Sequence, residues 1–223
     1  MNDSDNNKPI VWYVADPMCS WCWGFSPVVE RLKQHYRDNI QFALILGGLR
    51  PYTQQPVTDE SRREILQHWH EVHRMTGQEF NFDEAMTGSF VYDTEPASRA
   101  VVVVGEMLSD RTFEYFKSLQ QAFYVRHQDI TQEPVLWELL RALLGEAADS
   151  KEAEFKRCFE SQEARQKTQA HFHKSRQLGV RGFPTLILQD EQHYYLLNSG
   201  YRPYAELALE IDTYLQTQHR TVH

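Results

Sequence analysis

Cysteine is scarce in this chain, with three among 223 residues, so no disulfide framework staples the fold and the core must come from apolar packing. The length allows that, since one or two domains of this size bury a core without cross-links. No stretch reaches the roughly 18 apolar residues needed to span a bilayer, which argues against a membrane partner. Basic residues are outnumbered, 23 against 31 acidic, and the formal charge of −8 argues against nucleic acid or an anionic membrane surface. Neither sign forms a long block, and there is no internal repeat or low-complexity segment. Residues 1–8 are polar and acidic, without the basic start and apolar run of a signal peptide, and residues 1–7 read as a frayed tail. Read from Met1, the chain is expected in the cytoplasm. There a Cys-x-x-Cys pair is redox-active or metal-binding rather than structural. What remains is ordinary for a globular protein, 41% hydrophobic and 24% charged.

Against that background the stretch Asp16-Pro17-Met18-Cys19-Ser20-Trp21-Cys22-Trp23-Gly24-Phe25 stands out. It follows an apolar run at residues 10–15 that reads as a buried strand, and it opens an amphipathic helix reaching Tyr36. The cysteines therefore fall where a strand hands over to a helix. The first turn of a helix carries unpaired N–H groups and about half a positive charge, which stabilises a thiolate by about 0.3–1 kcal/mol. Cys22, Phe25, Val29, Leu32 and Tyr36 recur at three- and four-residue steps, placing Cys22 on the core-facing stripe and Cys19 one turn earlier at the open end. Cys19 is thus the expected nucleophile toward a partner disulfide, and Cys22 the thiol that resolves the mixed disulfide. Pro27 lies inside the same helix, removes one hydrogen bond and predicts a kink.

A second signal comes late. Gly179-Val180-Arg181-Gly182-Phe183-Pro184-Thr185-Leu186-Ile187-Leu188 is a Gly-punctuated loop entering an apolar strand, with proline where no ladder N–H is lost. A strand, cysteine pair and helix, followed much later by loop, proline, strand, strand and helix, resembles the thioredoxin superfamily. Within it, the long helical middle and the wording around Cys19 and Cys22 are similar to the DsbA family, and to its signal-less branch of FrnE-like predicted protein disulfide isomerases. The resemblance implies a thioredoxin-like α/β fold and a cis Phe183–Pro184 bond packed against the cysteine pair, which proline permits at a cost of about 0.5–1 kcal/mol. The Ser20-Trp21 dipeptide is neither the Pro-His of the periplasmic oxidases nor the Gly-Pro of thioredoxins, so redox strength does not carry over.

In chain order, residues 8–56 form the first thioredoxin-like half, strand, helix and a second strand at 40–46 making a right-handed parallel unit. Residues 57–178 form a helical insertion. Its helices are marked by Ile65, Leu66, Trp69, Val72 and Met75 before Gly77, by Pro96 through Leu108, and by Phe113 through Phe123. Further ones run from Pro134 to Leu143, from an Asp149/Glu152 capping pair through Phe159, and over residues 163–178. Residues 101–104, four valines, also suit a strand, but helix is preferred, and residues 80–92 lack any period and read as loop. Residues 179–218 return as the second half, with strands at 185–188 and 193–198 and a closing helix over 204–215.

Several residues carry two readings. Asp16 is either a buried carboxylate that takes the proton of Cys22 or a plain turn residue before proline. Pro184 is expected to steer substrate, with Phe183 and Thr185 flanking the channel and Thr185 offering backbone groups to an extended peptide. Trp21, between the cysteines, is the candidate exposed contact, and Phe25 belongs to the core. The His68, His70 and His73 cluster reads as a solvated face, and Cys158 as a small core residue. A zinc site drawing on Cys158, His171 and His173 is arithmetically possible, although no spacing favours it.

The expected function is a thiol–disulfide oxidoreductase or isomerase acting on disulfide-containing or misfolded proteins, recycled by glutathione or a thioredoxin-type partner, with no metal or organic cofactor. The alternatives are a glutathione-dependent transferase or isomerase of the kappa or 2-hydroxychromene-2-carboxylate isomerase kind, which carry serine in place of the first cysteine, and a non-enzymatic DsbA-like client adaptor.

Overall fold

The computed structural model describes residues 8–83 and 85–220; the tail expected at residues 1–7 lies outside them. Strand β1 (Ile10–Ala15) leads into helix α1 (Ser20–Tyr36), and the chain returns as β2 (Gln41–Leu46), parallel to β1. After six further helices, β3 (Thr185–Asp190) lies antiparallel to the other side of β1, and β4 (His193–Ser199) lies antiparallel to β3. The sheet order is β2-β1-β3-β4, so the strands from the two ends of the chain form one sheet, and helix α8 (Tyr204–Arg220) closes the chain. This is a thioredoxin-like fold.

Strand alternation sorts the sheet's faces. Val11, Tyr13, Ala15, Leu44, Leu46, Leu186 and Leu188 join the main core, while Val14, Ile45 and Ile187 form a smaller cluster with Trp12, Leu178 and Val180 on the other face. Helix α1 packs against α2 (Asp59–Thr76), α4 (Thr112–Tyr124) and α8. Gly24 makes the approach to α2 possible, because a Cβ there would stand 2.5 Å from Val72 Cγ1. Pro27 leaves the carbonyl of Trp23 without its helical N–H donor; the Ser26 hydroxyl, at 2.9 Å, and Gln78 Nε2, at 3.1 Å, donate to it instead.

The helical middle follows local signals in most places. Thr58 caps α2 by accepting from the Ser61 N–H at 3.2 Å, and Gly77 ends it in the left-handed region at φ +71°. Met75, placed on the apolar stripe by its spacing, is instead 54% exposed. Helix α3 (Glu95–Met107) settles the valine run, since Ala97 through Val104 are buried on every side and periodicity there carries no face. Helix α5 (Glu133–Leu144) follows. The Asp149/Glu152 start is corrected: α6 (Glu152–Glu160) begins after Lys151 with no side-chain cap, because residues 145–147 make a 3₁₀ turn whose last carbonyl takes the Ser150 hydroxyl. Helix α7 (Gln162–Gln177) is capped by Ser161 and packs against β2.

Candidate active site

Cys19 is the N-cap of α1, in extended conformation and with no capping hydrogen bond of its own, and its carbonyl accepts from the N–H groups of Cys22 and Trp23 at 3.0 and 3.1 Å. The sulfur therefore sits at the positive end of the helix. Its Sγ–H donates to the Phe183 carbonyl at 3.7 Å, and the Phe183–Pro184 bond is cis. The motif at residue 19 and the loop at residue 183 thus meet, brought together by the β1–β3 pairing of Val14 with Thr185. Cys22 is fully buried and Cys19 is 6% exposed, and both are free thiols. The order of burial follows the helical stripe, but Cys19 is more enclosed than an open helix end implies. The Cys22 thiol is pushed well up, first by burial and then by its hydrogen bond with Cys19 and the nearby negative groups.

Asp16 is completely buried. One carboxylate oxygen accepts from the Met18 N–H at 2.9 Å and the other from the Leu49 N–H at 2.7 Å, so it ties the turn before the cysteines to the loop leaving β2. Burial raises its carboxyl to about 6, against the lowering effect of those two N–H groups and of the Thr94 side chain. Asp16 therefore holds the turn before the cysteines, and it does so as a buried carboxyl whose pKa is raised.

The loop that Asp16 holds carries Gly47 directly beneath the Phe183 ring, where a Cβ would lie 2.0 Å from two ring carbons. Further along it, Leu49 is 40% and Tyr52 56% exposed, and the Arg50 guanidinium lies 5.2 Å from the centre of the Tyr92 ring. Trp21 is half-buried against Tyr201, at 6.4 Å between ring centres, rather than freely exposed. Thr185 is corrected more strongly. It is buried, flanked in the sheet by Val14 and Ser199, and its hydroxyl donates to the Gly182 carbonyl at 2.9 Å, so it has no open edge to offer a peptide. Phe25 is core, as its spacing predicts, and so is Trp23, whose Nε1 donates to the Glu79 carbonyl at 2.7 Å. Cys158 packs against the core, and His171 Nδ1 accepts from the Leu46 N–H at 3.3 Å. Among the described residues no group of three or more His, Cys, Asp or Glu is placed to hold a metal ion. His68, His70 and His73 lie exposed on α2, with His70 stacked on Phe82 at 3.9 Å.

A family model described as thioredoxin matches residues 12–208. This chain belongs to the thioredoxin family. Solved structures resemble it along nearly its whole length. A proposed protein disulfide isomerase from Nitrosomonas europaea is 42% identical, with 94% of this chain and 98% of that one covered and a TM-score of 0.86. The cytosolic disulfide reductase DsbM from Pseudomonas aeruginosa is 28% identical, with 96% and 100% covered and a TM-score of 0.71, and it has also been solved with GSH. The ClpXP adapter protein SpxH of Bacillus subtilis is 23% identical over 83% of this chain, which spans 60% of that curated relative's length.

Three tyrosines of this thioredoxin-family chain surround the cysteines, and sequence reasoning assigned none of them to the site. Tyr13 donates to the Cys22 carbonyl at 3.3 Å, Tyr92 donates to the Met18 carbonyl, and Tyr124 stacks on Trp23. Burial raises all three phenols, and negative charge at the cysteines reinforces this, so each stays protonated. Tyr13 alone had a local signal, as an inward position of β1. Tyr92 lies in the unperiodic stretch and Tyr124 ends α4, so only the tertiary fold brings them in.

Proposed function

We propose that this chain is a thiol–disulfide oxidoreductase acting on protein disulfides in the cytoplasm. The observation that carries the proposal is the pairing of Cys19 at a helix N-terminus, 3.7 Å from the Phe183 carbonyl, with a wholly buried Cys22 one turn on. The Cys19 thiolate attacks one sulfur of a substrate disulfide; the bond to the other sulfur breaks, and that sulfur leaves as thiolate. Cys22, deprotonated by Asp16, then attacks the Cys19 sulfur. This forms the Cys19–Cys22 disulfide and releases the second substrate thiol, so two electrons and two protons pass from the dithiol to the substrate. Trp21, between the two cysteines, and Phe183, whose carbonyl accepts from Cys19, supply apolar surface beside the sulfur; the exposed Leu49 and Tyr52 extend it along the loop that Asp16 holds, and Pro184 shapes the wall that the substrate meets. Two equivalents of glutathione, or one of a thioredoxin-type dithiol, return the pair to its reduced form. The likeness to DsbM, a cytosolic reductase solved with GSH, supports the compartment, the direction and the recycling thiol together.

Cys19→Ser and Cys22→Ser separate the roles. Cys19→Ser is expected to abolish exchange with a model protein disulfide, and Cys22→Ser to accumulate the mixed disulfide, read by mass under non-reducing conditions. Exchange that survives Cys19→Ser contradicts the mechanism. A second reading, an adaptor that holds a client on its helical surface, is favoured by the likeness to SpxH. Client capture undiminished by loss of both cysteines selects that reading.

A further inference from the structure

Strand β4 ends the sheet, and among the described residues no strand pairs with its outer side. Sheets ordinarily protect such an edge with charge, proline or a covering element. From His193 to Ser199, β4 holds no Lys, Arg, Asp, Glu or Pro. It is instead apolar and open: Tyr194 is 50%, Tyr195 45% and Leu196 62% exposed, and Leu209 of α8 is 69% exposed on the same side as Tyr195. These four are gathered at one margin of the molecule, which scattered surface apolar residues are not. Each face of the strand borders a groove. One, of about 500 Å³, lies toward α8 among Tyr195, Leu197, Leu209 and Tyr214; the other, of about 420 Å³, lies on the opposite face among Leu178, Val180, Tyr194 and Leu196. Glu206 and Glu210, the acids of the α8 groove, are paired with Arg202 at 3.4 and 2.7 Å.

The register fixes which backbone groups are free. Asp190 and His193 flank the two-residue turn at 191–192, and Leu188 pairs with Tyr195. Residues of an antiparallel pair alternate between those whose N–H and C=O face the partner strand and those whose groups face away. His193 and Tyr195 therefore bond to β3, and the N–H and C=O of Tyr194 and Leu196 point to the open edge. An occupant must be an uncharged extended segment, with matching groups two residues apart and apolar side chains on both faces to enter both grooves. A second copy of β4 is such a segment. About a two-fold axis at Tyr195, two β4 strands run antiparallel with Tyr194 of each chain opposite Leu196 of the other, and the free groups make four hydrogen bonds between the chains. We infer that this edge is a self-association surface, joining the four-stranded sheets of two copies of this chain into one of eight. Tyr194 and Leu196 of each copy enter the smaller groove of the other, and the two Tyr195 rings meet on the α8 side beside Leu209. So few side chains make an interface below about 1,200 Å², so the dimer is a reversible one. The cysteines lie beyond the other end of the strand, where Ser199 pairs with Thr185 and Thr185 with Val14. Pairing thus leaves Cys19 open, and it stands whether or not the chain is an oxidoreductase.

Sedimentation equilibrium of the full-length protein under reducing conditions, from about 5 µM to about 1 mM, measures the association. The expected result is a mass that rises from one chain to two and no further, because a two-fold pairing is closed. Hydrogen exchange at the two ends of that range reads the register: the Tyr194 and Leu196 amides should be protected about tenfold or more at the high end, with Tyr195, already bonded to β3, unchanged. Leu196→Lys is expected to weaken the association about tenfold or more, while the melting temperature of the dilute protein stays as it was, since the side chain is 62% exposed in the single chain. Tyr194→Lys is the second variant, used if the first fails to fold. A mass of one chain throughout, including a single chain whose edge captures an extended peptide instead, overturns the inference. So does a dimer that the folded Lys variant leaves intact, or one whose protected amides are not those of Tyr194 and Leu196.

Discussion

Replacing Asp16 by Asn makes the buried carboxyl measurable through stability. In the folded chain this carboxyl titrates near 6, against 3.8 for the free group, because burial outweighs the two N–H groups that favour its charge. The folded state therefore holds the proton more tightly than the unfolded state does, and the Asp16 contribution is complete below about pH 4 and lost as pH rises through 6. A difference of about 2 units at about 1.4 kcal/mol each amounts to about 3 kcal/mol between those limits. Asn has no such titration. It does turn an NH₂ toward one of the N–H groups of Met18 or Leu49, at a pH-independent cost of about 1–3 kcal/mol. The variant should thus be the less stable protein near pH 4, with the gap closing or reversing by about pH 8. Denaturant unfolding of both proteins under reducing conditions across that range checks this, since every other titrating group cancels in the difference. In melting temperature the change corresponds to about 6–12 °C for a chain of this size. Two stability curves that stay parallel across the range refute the reasoning.

Two glycines give independent tests. Gly24→Ala places a Cβ 2.5 Å from Val72 Cγ1 and 3.0 Å from Thr76 Cγ2, forcing α1 and α2 apart; a loss of about 1–3 kcal/mol is expected in denaturant unfolding. Gly47→Ala places a Cβ 2.0 Å from the Phe183 ring, which must leave its seat. Because the Phe183 carbonyl accepts from Cys19, disulfide-exchange rate should fall more than stability does, and an unchanged rate in a folded variant contradicts the role given to Phe183.

What the sequence revealed and what it hid divide by the range of the interaction. Residues 10–15 and 185–188 were legible because buried strands are short apolar runs, and α1 because Cys22, Phe25, Val29, Leu32 and Tyr36 mark one face. Gly77 and Gly179 announced their helix ends because both positions need φ near +70°, which glycine adopts freely. Four successive valines in α3 were ambiguous because a helix buried all round has no polar face to reveal its period. The site follows the same rule. Cys19, Cys22 and Asp16 lie within seven residues and could be read together, and Phe183-Pro184 could be linked to them through the family resemblance. The Leu49 N–H and Thr94 reach Asp16, and Tyr92 and Tyr124 the surroundings of the cysteines, only through tertiary packing, and no local pattern marks them. Thr185 was misplaced for a related reason: sequence identifies the strand's first residue, but the strand order that gives β3 a neighbour on each side is a tertiary fact.

The central claim is that Cys19 and Cys22 form one reversible two-electron couple. Equilibrating the purified chain in glutathione buffers of stepped ratio, then quenching, alkylating and weighing it, tests that claim directly. The account predicts a single transition between a form carrying alkyl groups on both Cys19 and Cys22 and a form protected at both, identical from either direction and abolished by Cys19→Ser. A pair that stays alkylated across the whole range, or protection that involves Cys158, would contradict it.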